Sequence, residues 1–218
     1  MDNYDKSYLV AMPTRSNEIA NKEYDYRDIA FLQCHSNFEN VDNGFGRNVL
    51  YGETYTYHNK LDFEDFNLKD NSTFRKRITR MIKIEDSLLA LEKVKGEVIY
   101  RIEYAKEGKY FVTVPYPILK TLVKEAKSNT IKVYCFLCYQ LKDAPKQLSQ
   151  EFIAKGVGLS RVATIREILE YLEKVGLITR ELLPVNIDVE KGSNRRTICS
   201  TKEYKYGLVK LNNWKRFR

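Results

Sequence analysis

One stretch of the sequence, residues 148–180, constrains the fold more than any other, because it holds two helical patterns separated by a short turn. Ser149 stands where a helix N-cap is expected, directly before the first pattern. Gly156 and Gly158 mark the turn, since glycine adopts positive φ at little cost. Ser160 is a second cap type. The stretch therefore predicts two helices joined by only a few residues.

The second helix of this pair is predicted over residues 161–175. Gly176 follows at the left-handed position that ends many helices. The apolar residues of the pattern recur at the spacing of one helix face, and they are Val162, Ile165, Ile168, Leu169 and Leu172. That face is expected to pack against a core.

Further elements are predicted on both sides of the helix pair. A connecting helix over residues 118–127 and an apolar helix over residues 130–142 precede it. Two strands within residues 177–190 and 195–204 follow it and form a hairpin that turns at residues 191–194. The second half of the chain is thus predicted to run from an apolar helix through a helix pair to a hairpin.

The first half repeats this order less clearly. Helices are predicted over residues 26–38 and 61–68, with a short strand at residues 54–57 between them. A third helix begins after the cap-type residues 70–72, and a hairpin with Gly in its turn covers residues 89–104. The apolar stripe of the third helix consists of Phe74, Ile78, Met81 and Ile82.

The stretch LSQEFIAKGVGLSRVATIREILEYLEKVGLITR, residues 148–180, resembles the winged helix-turn-helix family of bacterial DNA-binding domains. Ala154 is small where two helices would cross, Gly158 lies in the turn, Ser160 is at the cap, and Thr164 begins the pair that matches the family's Thr-Val. With the repeated element order, the resemblance implies an α+β fold of two tandem winged helix-turn-helix domains. Such an arrangement resembles the replication initiators of plasmids and phages, and the Tyr, Asn and Lys richness resembles proteins of low-GC Gram-positive bacteria.

On this basis the chain divides into four predicted parts. Residues 1–22 lack periodicity and are interpreted as a flexible N-terminal arm of unassigned role. Residues 23–115 form winged-helix domain 1 and residues 116–204 form winged-helix domain 2. Residues 205–218 form a basic C-terminal tail.

The formal net charge of +8 is concentrated rather than spread. Residues 191–218 contain nine Lys or Arg residues and one acid, so that residues 1–190 sum to zero. Within that neutral part, residues 71–84 carry five basic residues and no acid, masked in the total by the acidic residues 1–70. A concentrated basic face is typical of a protein with a polyanionic partner, nucleic acid first. A basic segment that only improves solubility is the alternative.

In a helix-turn-helix domain the second helix of the motif enters the major groove, where its early and outward side chains reach the bases. Basic groups can bind guanine or phosphate, and hydroxyl groups can bind either as well. The contacts predicted for domain 1 are Thr73, Lys76, Thr79, Arg80 and Lys83. The contacts that the resemblance implies for domain 2 are Ser160, Arg161, Thr164 and Arg166, with Lys191, Arg195 and Arg196 on its wing.

The helix predicted over residues 161–175 of domain 2 also carries carboxylates, which weaken its prediction as a DNA contact. Glu167, Glu170 and Glu173 follow on the same helix, and they would repel phosphates. Two hypotheses remain open. Either only the first turn of the helix enters the groove, or the helix forms a contact between two copies of the chain while the wing touches the DNA backbone.

The sequence predicts no enzyme, cofactor or metal site. Cys135 and Cys138 form a CxxC pair, but no second Cys/His pair follows at zinc spacing, so both are interpreted as core thiols. The chain has two histidines, no phosphate-binding loop and no nucleophile elbow. Four cysteines, a start unlike a signal peptide and no apolar run of about 20 residues predict a cytoplasmic protein without a membrane segment.

The resulting prediction is a non-enzymatic, sequence-specific double-stranded DNA-binding protein that acts in replication initiation or control on a plasmid or phage. A transcriptional regulator of the same fold is an alternative that the sequence does not separate from it. A second alternative is a protein–protein adaptor that docks replication proteins, which the acidic first 70 residues would suit. A homodimer is compatible with the DNA-binding hypotheses.

Overall fold

The computed structural model describes residues 9–14, 16–38, 53–103, 111–142, 144–183 and 204–209. The elements up to residue 115 are β1 (Leu9–Pro13), α1 (Ser16–Ile19), α2 (Tyr26–Gln33), β2 (Asn37–Phe38), β3 (Glu53–Tyr57), α3 (Ser72–Ile82), β4 (Leu89–Val94), β5 (Glu97–Glu103) and β6 (Phe111–Pro115). The later elements are α4 (Tyr116–Glu125), α5 (Ser128–Leu141), β7 (Lys146–Leu148), α6 (Gln150–Gly156), α7 (Val162–Lys174), β8 (Ile178–Leu182) and β9 (Tyr204–Leu208). The protein is therefore α+β, as predicted.

The described strands form three antiparallel sheets, and two of these share one strand order. In the first half, β5 lies between β3 and β4, with β2 outside β3. In the second half, β9 lies between β7 and β8. In both sheets the last strand in the chain thus occupies the position between the two earlier ones. The third sheet consists of β1 and β6.

The hairpin of β4 and β5 follows from its two-residue turn. Lys95 and Gly96 have φ values of 51° and 87°, and positive φ at both central residues suits the right-handed twist of the strands. The register then places Leu89 opposite Ile102. Both side chains are buried, so this end of the hairpin faces the core.

One hydrophobic core crosses the predicted domain boundary at residue 115. Helix α2 of the first half contacts α4 and α5 of the second. Buried side chains from both halves, such as Phe31 and Leu137, belong to one packed cluster. The division into two domains stays a prediction, since the core is continuous at this point.

The prediction of a flexible arm over residues 1–22 is wrong for its described part. Strand β1 pairs with β6, and Val10, Ala11 and Met12 are at most 1% exposed. Ile19 on α1 is equally buried. This strand is too short to show a period, and its partner lies about a hundred residues away along the chain, so the sequence pattern did not reveal it. Residues 1–8 lie outside the described part.

Two further predictions are corrected. Residues 61–68 form turns rather than a helix, and Asn67 within them has a φ of 52°. The C-terminal tail does not begin at residue 205, because residues 204–208 form β9 and the Tyr206 side chain is fully buried in the sheet. Burial of this aromatic ring holds the segment in place. Residues 210–218 lie outside the described part.

Candidate nucleic-acid interface

Helix α3 begins at a side-chain cap and buries one face. The Asn71 side chain accepts hydrogen bonds from the backbone N–H groups of Thr73 and Phe74, both at 3.0 Å, which satisfies two donors that the first turn leaves free. Phe74, Ile78 and Met81 are at most 2% exposed. Because these apolar residues face the core, the opposite side of α3 faces solvent.

Two ion pairs hold this helix in place. The Arg77 guanidinium donates to both carboxylate oxygens of Asp28 on α2, at 2.5 and 2.8 Å, and Asp28 is fully buried. Arg75 donates to both oxygens of Asp70, at 3.1 and 2.8 Å. Asp70 also lies 3.1 Å from Nε2 of His58. Two of the four basic residues of α3 are therefore bound to acids.

These pairs affect the carboxylates differently. Burial raises the pKa of Asp28 to about 6, and the bond from Arg77 only partly opposes it. The hydrogen bond from Arg75 is the main reason that the pKa of Asp70 is lowered. Asp70 is thus firmly ionised beside the start of α3, where a negative charge favours the helix.

The other two basic residues of α3, and Lys83 directly after it, are exposed. Within the residues that the structure describes, no carboxylate lies within ion-pair distance of Lys76, Arg80 or Lys83. Thr73 is exposed on the first turn of the same face. The hydroxyl of Thr79 donates to the Arg75 carbonyl oxygen at 2.8 Å, so its proton is already engaged. The five predicted domain 1 contacts therefore lie on the exposed side of α3, and Thr79 is the least able to donate.

The helix pair α6 and α7 follows the predicted pattern with one correction. Ser149 caps α6 by accepting from the Phe152 N–H at 3.1 Å, and Gly158 in the turn has a φ of 70°. Arg161, not Ser160, occupies the N-cap position of α7, and its side chain makes no cap hydrogen bond. The predicted cap role of Ser160 is wrong because the chain stays extended through Arg161.

The solvent face of α7 carries both signs of charge. Ser160, Arg161 and Arg166 are exposed, and Thr164 is half-buried. Glu167 and Glu170 are exposed on the same helix. Nε of Arg180 on β8 donates to Glu173 at 2.8 Å, so this third carboxylate is paired. The mixed face distinguishes α7 from α3.

The predicted wing contacts Lys191, Arg195 and Arg196 lie outside the described residues. Sequence reasoning missed the structural acids Asp28 and Asp70. Asp28 did leave a signal, since it is the single carboxylate among the mostly apolar buried residues of α2. The sequence pattern predicts Asp70 only as a cap type, whereas Asn71 is the cap.

The described cysteines lie in or against the hydrophobic core. Cys135 is fully buried and Cys138 packs against the core, as expected for core thiols, and burial raises the pKa of both. The described residues include no cluster of three His, Cys, Asp or Glu side chains that could bind a metal ion. Their helices are also too short or too polar to span a membrane.

Comparisons with protein-family models, with curated proteins and with solved structures gave no match to this chain.

Proposed function

We propose that this protein binds double-stranded DNA sequence-specifically, with α3 as its main groove-binding helix and the first turn of α7 as a second contact. The observation that carries the proposal is the exposed face of α3. Lys76, Arg80 and Lys83 project from it without an acidic partner among the described residues. A helix held this firmly presents its basic groups to phosphates and bases without first giving up ion pairs.

The sheet order supports a tandem winged-helix fold. From α2 the first half runs through β2, β3 and α3 to β4 and β5, and from α5 the second half runs through β7, α6 and α7 to β8 and β9. In each case the last of these strands lies between two earlier ones, β5 between β3 and β4 and β9 between β7 and β8. That order is the one expected of a winged helix-turn-helix domain. The second half also has the helix pair α6 and α7, whereas turns replace the corresponding helix in the first half.

The DNA-binding groups divide by chemistry. Lys76 and Arg80 on the solvent face suit guanine O6 and N7 in the major groove, and Arg can bind these two acceptors together. Thr73 and Lys83, near the two ends of the helix, suit phosphates, which would supply most of the affinity. From the resemblance of the tandem arrangement, we assign the protein to replication initiation or control on a plasmid or phage. Repeated binding sites beside an origin would support this role, and a single operator would favour a transcriptional regulator.

The test is a selection of binding sites from random duplex DNA, followed by affinity measurements at several salt concentrations. The double variant Lys76→Ala/Arg80→Ala should bind the selected site at least tenfold more weakly, on the order of what one bidentate hydrogen bond to a base contributes. The slope of log affinity against log salt should also become shallower, because the variant brings two fewer positive charges close to the phosphates.

The matched control is Lys60→Ala/Lys146→Ala, which removes the same charge from two exposed positions that belong to neither α3 nor α7. It should keep the sequence preference. Unchanged binding by the α3 variant, or equally weakened binding by both variants, would contradict the proposal.

A further inference from the structure

The segment of residues 20–26, here termed the bridge, joins α1 to α2 and contacts the first-half helix α3. The Asp25 N–H donates to the Met81 sulfur at 3.2 Å, and the Asp25 carboxylate lies 3.5 Å from Nε of Arg77. The hydroxyl of Tyr24 accepts from the N–H of Leu88, just before β4, at 3.1 Å. The bridge therefore touches α3 on the side opposite its exposed basic face, and also the start of the hairpin that follows.

The same segment contacts the second half. The Lys132 ammonium on α5 donates to the Asn21 carbonyl oxygen at 2.6 Å, and the Tyr26 N–H donates to Oγ of Ser128 at 2.8 Å. The turn before α7 lies directly on the bridge. A Cβ atom added to Gly158 would come within 1.9 Å of the Ala20 carbonyl oxygen.

Lys132 is an unusual residue for a core position. It is only 2% exposed, its ammonium lies 5.3 Å from the centre of the Tyr26 ring, and burial lowers its pKa to about 8. Burying an ammonium group is costly unless it is bound. The Asn21 carbonyl and the Tyr26 ring, both in the bridge, provide that binding.

We infer that the bridge fixes the separation and orientation of α3 and α7, and thereby selects the spacing between two half-sites on DNA. Lys132 acts as a positioning residue in this arrangement. The inference rests on the proposed function. Each added base pair moves and rotates one half-site, because about 10–10.5 base pairs make one turn of 34–36 Å. Two helices held at a fixed separation can bind both half-sites at one spacing only, whereas two loosely linked helices can bind them at several spacings.

The test uses the double variant Lys132→Met/Ser128→Ala, which removes both side-chain bonds to the bridge and keeps most of the packing. Lys124→Met is the control, because it removes a lysine of α4 whose ion pair is with Asp65. The DNA probes carry the selected site, the same site with one or two base pairs inserted between half-sites, and one half-site alone.

Wild-type protein and Lys124→Met should bind at least tenfold more weakly when one base pair is inserted. The double variant should bind less than threefold more weakly, while its affinity for the single half-site stays as in the wild type. That last measurement separates a positioning role from general loss of structure. Equal spacing preference in the double variant and the wild type would overturn the inference.

A second measurement needs no DNA. Nitroxide labels are attached at Ser72→Cys and Glu170→Cys in a Cys138→Ala/Cys199→Ser background. Pulsed electron–electron double resonance then measures the distance distribution between α3 and α7. We expect a narrow distribution that broadens when Lys132→Met/Ser128→Ala is added, and an unchanged distribution would show that the bridge does not fix the helices. If the wild type binds no duplex DNA, the proposed function and the spacing preference fail together, whereas this distance still reports on the bridge.

Discussion

The ion pair between Asp28 and Arg77 shows how single residues determine what α3 can bind. Its geometry is bidentate, with one partner fully buried and the other about one-third exposed. A pair of this kind often contributes less to stability than to position, since desolvation offsets the attraction. Here it neutralises one basic group of α3 and fixes the helix that carries the exposed ones.

Asp28 also gives stability a specific pH dependence. Burial raises its pKa from 3.8 to about 6, so the folded protein binds this proton more tightly than the unfolded chain does. The stabilisation is fully present below about pH 4 and is lost as the pH rises through 6, which amounts to about 3 kcal/mol at most.

Urea unfolding of the wild type and Asp28→Asn measures this effect. The free energy of unfolding of the wild type, relative to the variant, should fall by up to about 3 kcal/mol between pH 4 and pH 7. The variant is the control for all other titrating groups. A difference that stays constant over this range would show that Asp28 has an ordinary pKa.

At the scale of elements, local signals were sufficient where a long apolar stripe or a turn with glycine marks the element. Helices α3 and α7 and the hairpin of β4 and β5 lie close to their predicted positions. The segment over residues 61–68 carried a weaker pattern, and helices this short are marginal without tertiary support. The Phe63 and Phe66 rings instead pack on Phe31, at centroid distances of 4.9 and 5.3 Å. The turn conformation of this segment allows both contacts.

The candidate site was predictable to the same extent. Periodicity alone identifies the exposed face of α3, because its buried stripe is clear. The ion pair of Arg77 with Asp28 could not be predicted, since the two residues lie far apart in the sequence and meet only in the folded chain. The hydrogen bond from the Thr79 hydroxyl to the Arg75 carbonyl oxygen could not be predicted either, because it depends on the side-chain rotamer of Thr79.

The exposed acids of α7 allow a test of whether this helix contacts DNA. If its first turn enters the groove, Glu167 lies near phosphates, and Glu167→Ala should raise affinity for the selected site roughly two- to fivefold. Glu64→Ala removes an exposed carboxylate elsewhere and should change affinity less. The measurement is a binding titration at low salt. An unchanged affinity in Glu167→Ala would favour the hypothesis that α7 contacts a second copy of the chain.

At the scale of the whole molecule, the continuous core joins the two halves into one cooperative folding unit. Helix α2 packs on α4 and α5, and the bridge bonds to Lys132 and Ser128. We therefore expect the halves to unfold together, although the sequence suggested two separate domains. Sequence patterns indicate the faces of individual helices, and they do not show which faces of different helices meet.

Native-state hydrogen exchange tests this cooperativity. The slowest amides of β5 and of α7 should open with free energies that agree within about 1 kcal/mol, because both depend on the same global transition. A gap of several kcal/mol would show that one half opens while the other remains folded. The test requires no substitution, so the native core is unchanged.

The pairing of Val10 with Val114 has a consequence for synthesis of the protein. A ribosome adds about 5–20 residues per second, so β1 leaves the tunnel roughly 5–20 seconds before β6 does. Over that interval Val10, Ala11 and Met12 have no strand to pair with and offer an apolar segment to chaperones. The core of the amino-terminal half is completed by β6, α4 and α5, so it cannot form in full until these elements have left the ribosome.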